Sequence, residues 1–352
     1  MKFFFGREVS PASAVELGCV GDVSPASAVL AIIVCYEPDR DALVDLLVSL
    51  ATCHVSTLLI DNSESDVGCV STRAIAHAFG AEYLCNVRNV GVAEAQNIGL
   101  RRARERGLRY ALLLDQDTTL EDGALARLIA ACESLTEAGQ PVAAVGPAFA
   151  DPRSDTAFPF VRLQRLRMGR VWPLNGHAVE CDLLISSGSL IPLSVLDAVG
   201  DMDASLFIDY VDIEWCVRAR AAGFKVFGVS DARMQHRIGD RSFRLFGRTF
   251  QLHNPIRNYY FTRNALLFAR KPYLTLRWRI HLLYRVAGQF VLFGLFAPQR
   301  FQRLRWMLRG LWDGLLGRGG RLGGPNGHGR RRGTASEAAQ ASGLARLSTA
   351  RD

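Results

Sequence analysis

From Ala28 onward, apolar runs rich in β-branched residues alternate with stretches of helical periodicity, and that alternation is what most limits the folds open to this chain. "AVLAIIVCY" (28–36) is apolar almost without a break, as a strand buried on both faces must be. "DRDALVDLLVSLATC" (39–53) then places Leu43, Leu46, Leu47 and Leu50 on one helical face. "STLLIDNS" (56–63), "RYALLLD" (109–115) and "PVAAVGPAF" (141–149) read as further strands, with helices over 91–107, closed by Gly107, and over 123–139. This order predicts an α/β fold: an open, mainly parallel sheet flanked by helices on both faces. Ligands of such sheets bind beyond the carboxyl ends of the strands. Three of those ends carry polar residues here: Tyr36 and Glu37, Asp61 and Asn62, and Asp115 and Asp117. The stretch 151–240 is less regular. It reads as strand, Gly/Ser loop and short helix over 180–200, a helix from Asp209 ended by Gly223, and a strand over 225–231 leading to His236.

The net charge of +8 conceals a division. Residues 241–352 hold 21 Lys and Arg against 3 Asp and Glu, whereas the other 240 residues hold 21 against 31. The basic part should seek anions such as lipid head groups, phosphorylated carriers or nucleic acid. Its arginines are interleaved with long aliphatic and aromatic runs over 254–296, which suits a lipid surface or packed helices better than a phosphate groove. Nucleic acid is therefore not an expected partner. Its longest uncharged run, Val286 to Gln299, has 14 residues, short of the roughly 20 that cross a bilayer as a helix. At the other end, Arg7 and Glu8 cut off the apolar "MKFFF" too early for a signal peptide. "VSPASAV" occurs at 9–15 and 23–29 and reads as part of a flexible lead-in. Eight scattered cysteines with no zinc-ligand spacing indicate buried free thiols in a reducing compartment.

Four segments carry chemistry. Asp115 and Asp117, two apart after a buried strand, should point to one side with Gln116 facing away, and two hard oxygen donors suit Mg2+ or Mn2+. "NVRNVGVAEAQNIG" (86–99) combines small residues with Arg88, Asn89 and Asn97 at a helix N-terminus, where free N–H groups and the helix dipole favour anions; the same small residues also suit packing against a sheet. In "LFIDYVDIEWCVRA" (206–219), Asp212, Trp215 and Cys216 share a helical face, and Glu214 and Arg218 form an i, i+4 pair that supports the helix. An aspartate beside an indole suits a base with a raised pKa next to a sugar-stacking wall. His236 follows the next strand, where a neutral imidazole can complete a metal sphere. Neither G-x-x-x-x-G-K-[ST] nor G-x-S-x-G occurs.

In this order, "IIVCYEP", "LLIDNS", "NVGVAEAQNIG", "LLLDQD", "FIDYVDIEW", "MQHRIGD" and "RNYYFTRN" resemble the inverting family 2 glycosyltransferases, and more narrowly their bacterial rhamnosyltransferase branch. The resemblance covers roughly Val29 to Asn264 and implies the GT-A nucleotide-diphospho-sugar transferase fold with a C-terminal basic, aromatic helical extension. The implied layout is a flexible lead-in over 1–27, the GT-A domain over 28–265, a basic amphipathic helical region over 266–316 that would associate with a membrane, and a disordered tail over 317–352. The implied roles are Tyr36 and Asp61 on the nucleotide base, and Arg88, Asn89 and Asn97 on the diphosphate side of the donor. Asp115 would bind the ribose or a metal, Asp117 and His236 the metal, and Asp212 would be the base, with Asp209 as the alternative. Ser187, Gly188 and Trp215 are candidates for the acceptor wall. The implied reaction moves L-rhamnose from dTDP-L-rhamnose, with inversion, onto a hydroxyl of a cell-surface glycan or a polyprenyl-diphosphate-linked acceptor of the O-antigen or exopolysaccharide type. UDP-galactofuranose is the alternative donor, and a basic, non-enzymatic nucleic-acid- or membrane-binding protein is the alternative of another class. The expected location is cytoplasmic, peripheral on the inner face of an anionic membrane.

Overall fold

The computed structural model describes residues 5–8, 14–17, 26–151, 156–164, 167–172, 176–236, 241–245 and 248–323. Two strands, β1 (Phe5–Glu8) and β2 (Ala14–Glu16), fall in the stretch read as a lead-in. β2 pairs with a later strand, so part of that stretch is built into the fold; most of the "VSPASAV" repeat lies outside the described residues. The alternating region begins at β3 (Val29–Cys35), every residue of which is buried. It continues through α1 (Arg40–Ala51), β4 (Ser56–Asp61), α2 (Asp66–Ala78), β5 (Glu82–Cys85), α3 (Val92–Glu105) and β6 (Tyr110–Asp115). The short β7 (Thr118–Leu120), α4 (Ala124–Glu137) and β8 (Val142–Asp151) complete the first half.

The second half adds β9 (Thr156–Phe158), β10 (Phe160–Gln164), β11 (Arg167–Val171), β12 (His177–Cys181), β13 (Leu190–Pro192), α5 (Leu196–Val199), α6 (Val211–Ala221) and β14 (Lys225–His236). The main sheet runs β2-β12-β14-β8-β13-β6-β3-β4-β5. β5, β4, β3 and β6 are parallel neighbours, as are β8 and β14. The three-residue β13 runs antiparallel between β6 and β8, so the sheet is mixed, though mostly parallel.

Alternate residues of β3 supply two cores. Leu30, Ile32 and Val34 pack with Ala93, Ala95 and Leu100 of α3 on one face. Val29, Ala31 and Ile33 pack with the four predicted leucines of α1 and with Leu125 and Leu128 of α4 on the other. At about 1.5–3 kcal/mol for each large side chain buried, this doubly covered strand explains the unbroken apolar run. A Cβ on Gly99 would stand 2.4 Å from Ile32, so the small residues of α3 serve close packing on the sheet.

After the hairpin β15 (Arg241–Leu245) and β16 (Arg248–Leu252) come α7 (Ile256–Ala269), α8 (Leu276–Val291) and α9 (Arg300–Leu315). The boundary expected at 265 falls inside α7. Asn264 of this helix bonds the loop before α6, while Tyr259 bonds Asp313 of α9, so one helix belongs to both regions. Residues 318–323, within the expected tail, fold back on the body: Gly320 N–H donates to Ser205 O, and Arg321 pairs with Glu64 at 2.5 Å. Residues 324–352 lie outside the described residues.

Candidate active site

The carboxyl ends of β3 and β6 open into a cleft of about 860 Å³. β6 stops at Asp115, and Gln116 and Asp117 form a turn before β7, so the two carboxylates converge through a turn and not by strand alternation. For the same reason Gln116 does not face away. It lines the cleft, accepting a bond from Tyr36 N–H at 2.7 Å and donating one to Tyr36 O at 3.3 Å. This double bond fixes the backbone of Tyr36, whose half-exposed ring also lines the cleft.

β14 is longer than expected and carries His236 to the same point. Its Nε2 stands 3.8 Å from Asp115 Oδ2, and its Nδ1 stands 3.6 Å from Asp117 Oδ1. One ligand atom from each of the three residues lies within 4.8 Å of the others. Two carboxylate oxygens and an imidazole nitrogen at this spacing are a donor set that fits Mg2+ or Mn2+. A second layer holds them in place. Thr118 Oγ1 lies 3.1 Å from His236 Nδ1 and 2.5 Å from Ser187 Oγ, which accepts from Asp115 N–H at 3.0 Å. Thr118 and Ser187 are buried, so Ser187 braces the acidic pair from behind and is not a wall of the cleft. Gly188 is packed against Pro147 and Met234 and does not face the cleft either.

Asp212, in the first turn of α6, also lines the cleft and is partly buried. Its Oδ1 accepts from Ile213 N–H at 2.8 Å and its Oδ2 from Ser186 N–H at 3.3 Å. Burial pushes its carboxyl up to about 6, opposed by the backbone bonds and reinforced by the Asp115 and Asp209 charges. Such a group is ionised at neutral pH yet basic enough to take a proton. Asp209 also lines the cleft, but both of its oxygens are held by Arg257, at 2.8 and 2.6 Å. Trp215 does not form a stacking wall. It is 2% exposed, and its indole N–H donates to Gly200 O. Glu214 and Arg218 form the expected pair, Nε to Oε1 at 2.8 Å.

The loop between α5 and α6 is unusual in its backbone. Phe207, Asp209 and Tyr210 all have φ near +65°, a region costly for residues with a Cβ. α7 holds it there: Asn264 Nδ2 donates to the carbonyls of Leu206, Ile208 and Asp209 at 2.7–2.9 Å. The neighbouring Arg263, 1% exposed, donates to the carbonyls of Leu206 and Ser205. The same loop closes the start of α3, where Phe207 O accepts from Val92 and Ala93 N–H. Those two amides are therefore not free for an anion, contrary to the sequence expectation. A Cβ on Gly91, at φ +89°, would stand 2.5 Å from the Phe207 ring.

Other expected donor residues are distributed unevenly. Asn89 lines the cleft, accepting from Gly91 N–H. Asn97 is buried and clamps Met202 through both its amide atoms, because its face of α3 meets the body and not the cleft. Asp61 is fully buried and takes bonds from Ser63 N–H and Tyr83 O–H. Arg88 is exposed and is not part of the cleft wall. Asn62, at one of the polar strand ends, lines it as well, and sequence reasoning missed Ser186, His253, Arg257 and Arg321, which do too. The arginines sit far along the chain, and only the motif "RNYYFTRN" just after Ile256 hinted at this region.

A family model described as "Glycosyltransferase like family 2" matches residues 25–254. The dTDP-rhamnosyl transferase RfbF of Shigella flexneri is 31% identical over 252 residues, 71% of this chain and 82% of that protein. Among solved structures, S. aureus TarS superposes with a TM-score of 0.52 at 13% identity, over 82% of this chain and 49% of TarS, so the chain spans about half of that protein. Its fragment 1–349 gives a TM-score of 0.50 at 12% identity, over 81% of this chain and 80% of the fragment. At such identities the structures speak for the fold alone. The family match and the RfbF relative, taken with a mostly parallel sheet that gathers its acids at one end, place this chain in glycosyltransferase family 2, as a glycosyltransferase with the GT-A fold.

Proposed function

We propose that this glycosyltransferase moves L-rhamnose from dTDP-L-rhamnose, with inversion, onto a hydroxyl of a glycan or lipid-linked acceptor of the O-antigen or exopolysaccharide type. The observation that carries the chemistry is one cleft holding the Asp115, Asp117 and His236 cluster together with a carboxyl raised to about 6 at Asp212. The donor rests on the RfbF relative, a dTDP-rhamnosyl transferase by name.

Asp115, Asp117 and His236 would hold a divalent cation, Mg2+ or Mn2+, which supplies positive charge against a nucleoside diphosphate. Tyr36, fixed by Gln116, and Asn89 flank the nucleotide end of the cleft. Asp212 takes the proton of the acceptor hydroxyl as its oxygen bonds to the anomeric carbon. The sugar–phosphate bond breaks on the opposite face, and its electron pair leaves with the diphosphate oxygen. Asp209, tied at both oxygens by Arg257, is the poorer base and serves to fix the loop. Peripheral attachment to an anionic membrane is part of this reading, supported by the exposed apolar residues of α8 and the surplus of arginine around them.

The test is turnover of dTDP-L-rhamnose, UDP-galactofuranose and UDP-GlcNAc, each with and without EDTA, by the native chain, Asp117→Ala and Asp212→Asn. The expected result is rhamnosyl transfer that needs metal and is lost in both variants. Preference for another donor would replace the donor assignment. Full activity of Asp212→Asn would remove the base.

A further inference from the structure

Beside the cleft lies a second cavity of about 580 Å³, and Arg321 and Leu322 belong to the walls of both. Its other walls are aromatic and basic, with Tyr259, Trp306 and Trp312 set among Arg305 and Arg309. Among the described residues its single acidic lining residue is Asp313, which is engaged by the Tyr259 hydroxyl, Arg309 and Arg318. Arg321 is engaged by Glu64. Arg305 forms no hydrogen bond or ion pair among the described residues, which leaves a guanidinium surplus in the cavity. Arg305 and Arg309 stand one helical turn apart, a spacing at which two guanidinium forks can share one anion.

The outer face of α9 continues from this cavity. Phe301, Leu308, Trp312 and Leu315 recur at helical spacing on the side away from α7, and all are more than half exposed. Trp312 belongs to both the cavity and this stripe. A free phosphate would use the arginines and leave the stripe bare; a neutral apolar chain would do the reverse. An amphiphile with a phosphorylated head satisfies both.

We propose that this cavity holds the phosphate or diphosphate head of an amphiphilic acceptor, with the apolar chain along α9 and the sugar reaching across Arg321 to the cleft. The proposal rests on the reading of that cleft as the transfer site, and its test does not use turnover.

Farnesyl diphosphate is titrated into the full chain at sub-micellar concentration, with tryptophan fluorescence as the readout. The expected result is saturable quenching at least tenfold tighter than with farnesol or inorganic diphosphate. Arg305→Glu, at an exposed position, should weaken it at least tenfold, and Trp312→Leu should remove most of the signal. Affinity equal to that of farnesol, or binding unchanged in Arg305→Glu, overturns the proposal. So does full displacement by dTDP, which would put the probe in the cleft, or by soluble short-chain phosphatidylglycerol, which would make this a general lipid head-group site.

Discussion

Burial raises the Asp212 carboxyl from 3.8 to about 6, and a base must be ionised to take a proton. Turnover should therefore rise through an apparent pKa near 6 and level off above it. Stability should move the other way. Between about pH 4 and 6 the native state binds more protons at this group than the unfolded chain does, so its contribution to stability falls as pH rises, and the full cost is present above pH about 6. Asp212→Asn keeps the shape and removes the charge. It should be inactive yet more stable than the native chain at neutral pH by on the order of 1–2 kcal/mol, with the gain absent near pH 4. Thermal melts in EDTA at the two pH values check this; a variant less stable at both would contradict it. Thr118 offers a second test at the same scale. Its hydroxyl touches His236 Nδ1 and Ser187 Oγ. Outer partners of metal ligands typically contribute 10–100-fold to affinity. Thr118→Val should weaken Mn2+ binding, followed by electron paramagnetic resonance, by about tenfold, and unchanged affinity would leave Thr118 a packing residue.

The decisive element is the loop before α6, because it carries Asp209 and sets the start of the helix that bears Asp212. Three positive-φ residues hold only where surrounding bonds over-determine them, and Asn264 supplies three such bonds from one amide. Asn264→Ala should cost about 3 kcal/mol through unpaired carbonyls and lower kcat more than tenfold, while nucleotide affinity changes little. Equal losses of kcat and nucleotide affinity would point to general unfolding. Elements differ in how plainly the sequence announces them. β3, β4, β6 and β8 are legible as apolar runs because each is covered on both faces. α2 and β5 are not: α2 buries only Thr72, Ile75 and Ala76, and the four residues of β5 are all partly buried, so neither has a strong pattern. Residue type and strand-end position were enough to find Asp115, Asp117 and His236 as a cluster. They did not reveal whether Asn97 or Trp215 meets cleft or core, since a periodic pattern defines a face without saying what that face packs against. Arg257 and Arg321 reach the cleft only through the return of the C-terminal helices, which no local spacing encodes.

At the scale of the molecule, charge and apolar exposure are polarised together. The arginine surplus lies in residues 241–352, the part that includes α8 and α9. α9 has 16 residues, about 24 Å, and α8, also 16 residues, runs on without a break into a π-helical segment, Leu292–Phe296; no helix among the described residues is long and apolar enough to cross a membrane. α8 nevertheless exposes Leu276, Ile280, Leu283, Tyr284 and Val291 on one side while burying Trp278, Leu282 and Val286 on the other. An apolar face flanked by arginines, on a helix whose other side is packed on the body, suits a position in the plane of a lipid surface. Attraction of basic residues to anionic lipid is worth about 1 kcal/mol each near the surface and is screened by salt, whereas the apolar contribution is not. Binding to vesicles containing phosphatidylglycerol should therefore weaken steeply between low and physiological salt and should be much weaker on neutral lipid. The double variant Ile280→Asp and Leu283→Asp should lose at least tenfold in vesicle binding at low salt. Both positions are exposed, so its melting temperature should stay within a few degrees of native. Co-sedimentation with vesicles across a salt series measures all of this, and full recovery of the native chain in the supernatant at low salt would remove the membrane from the account.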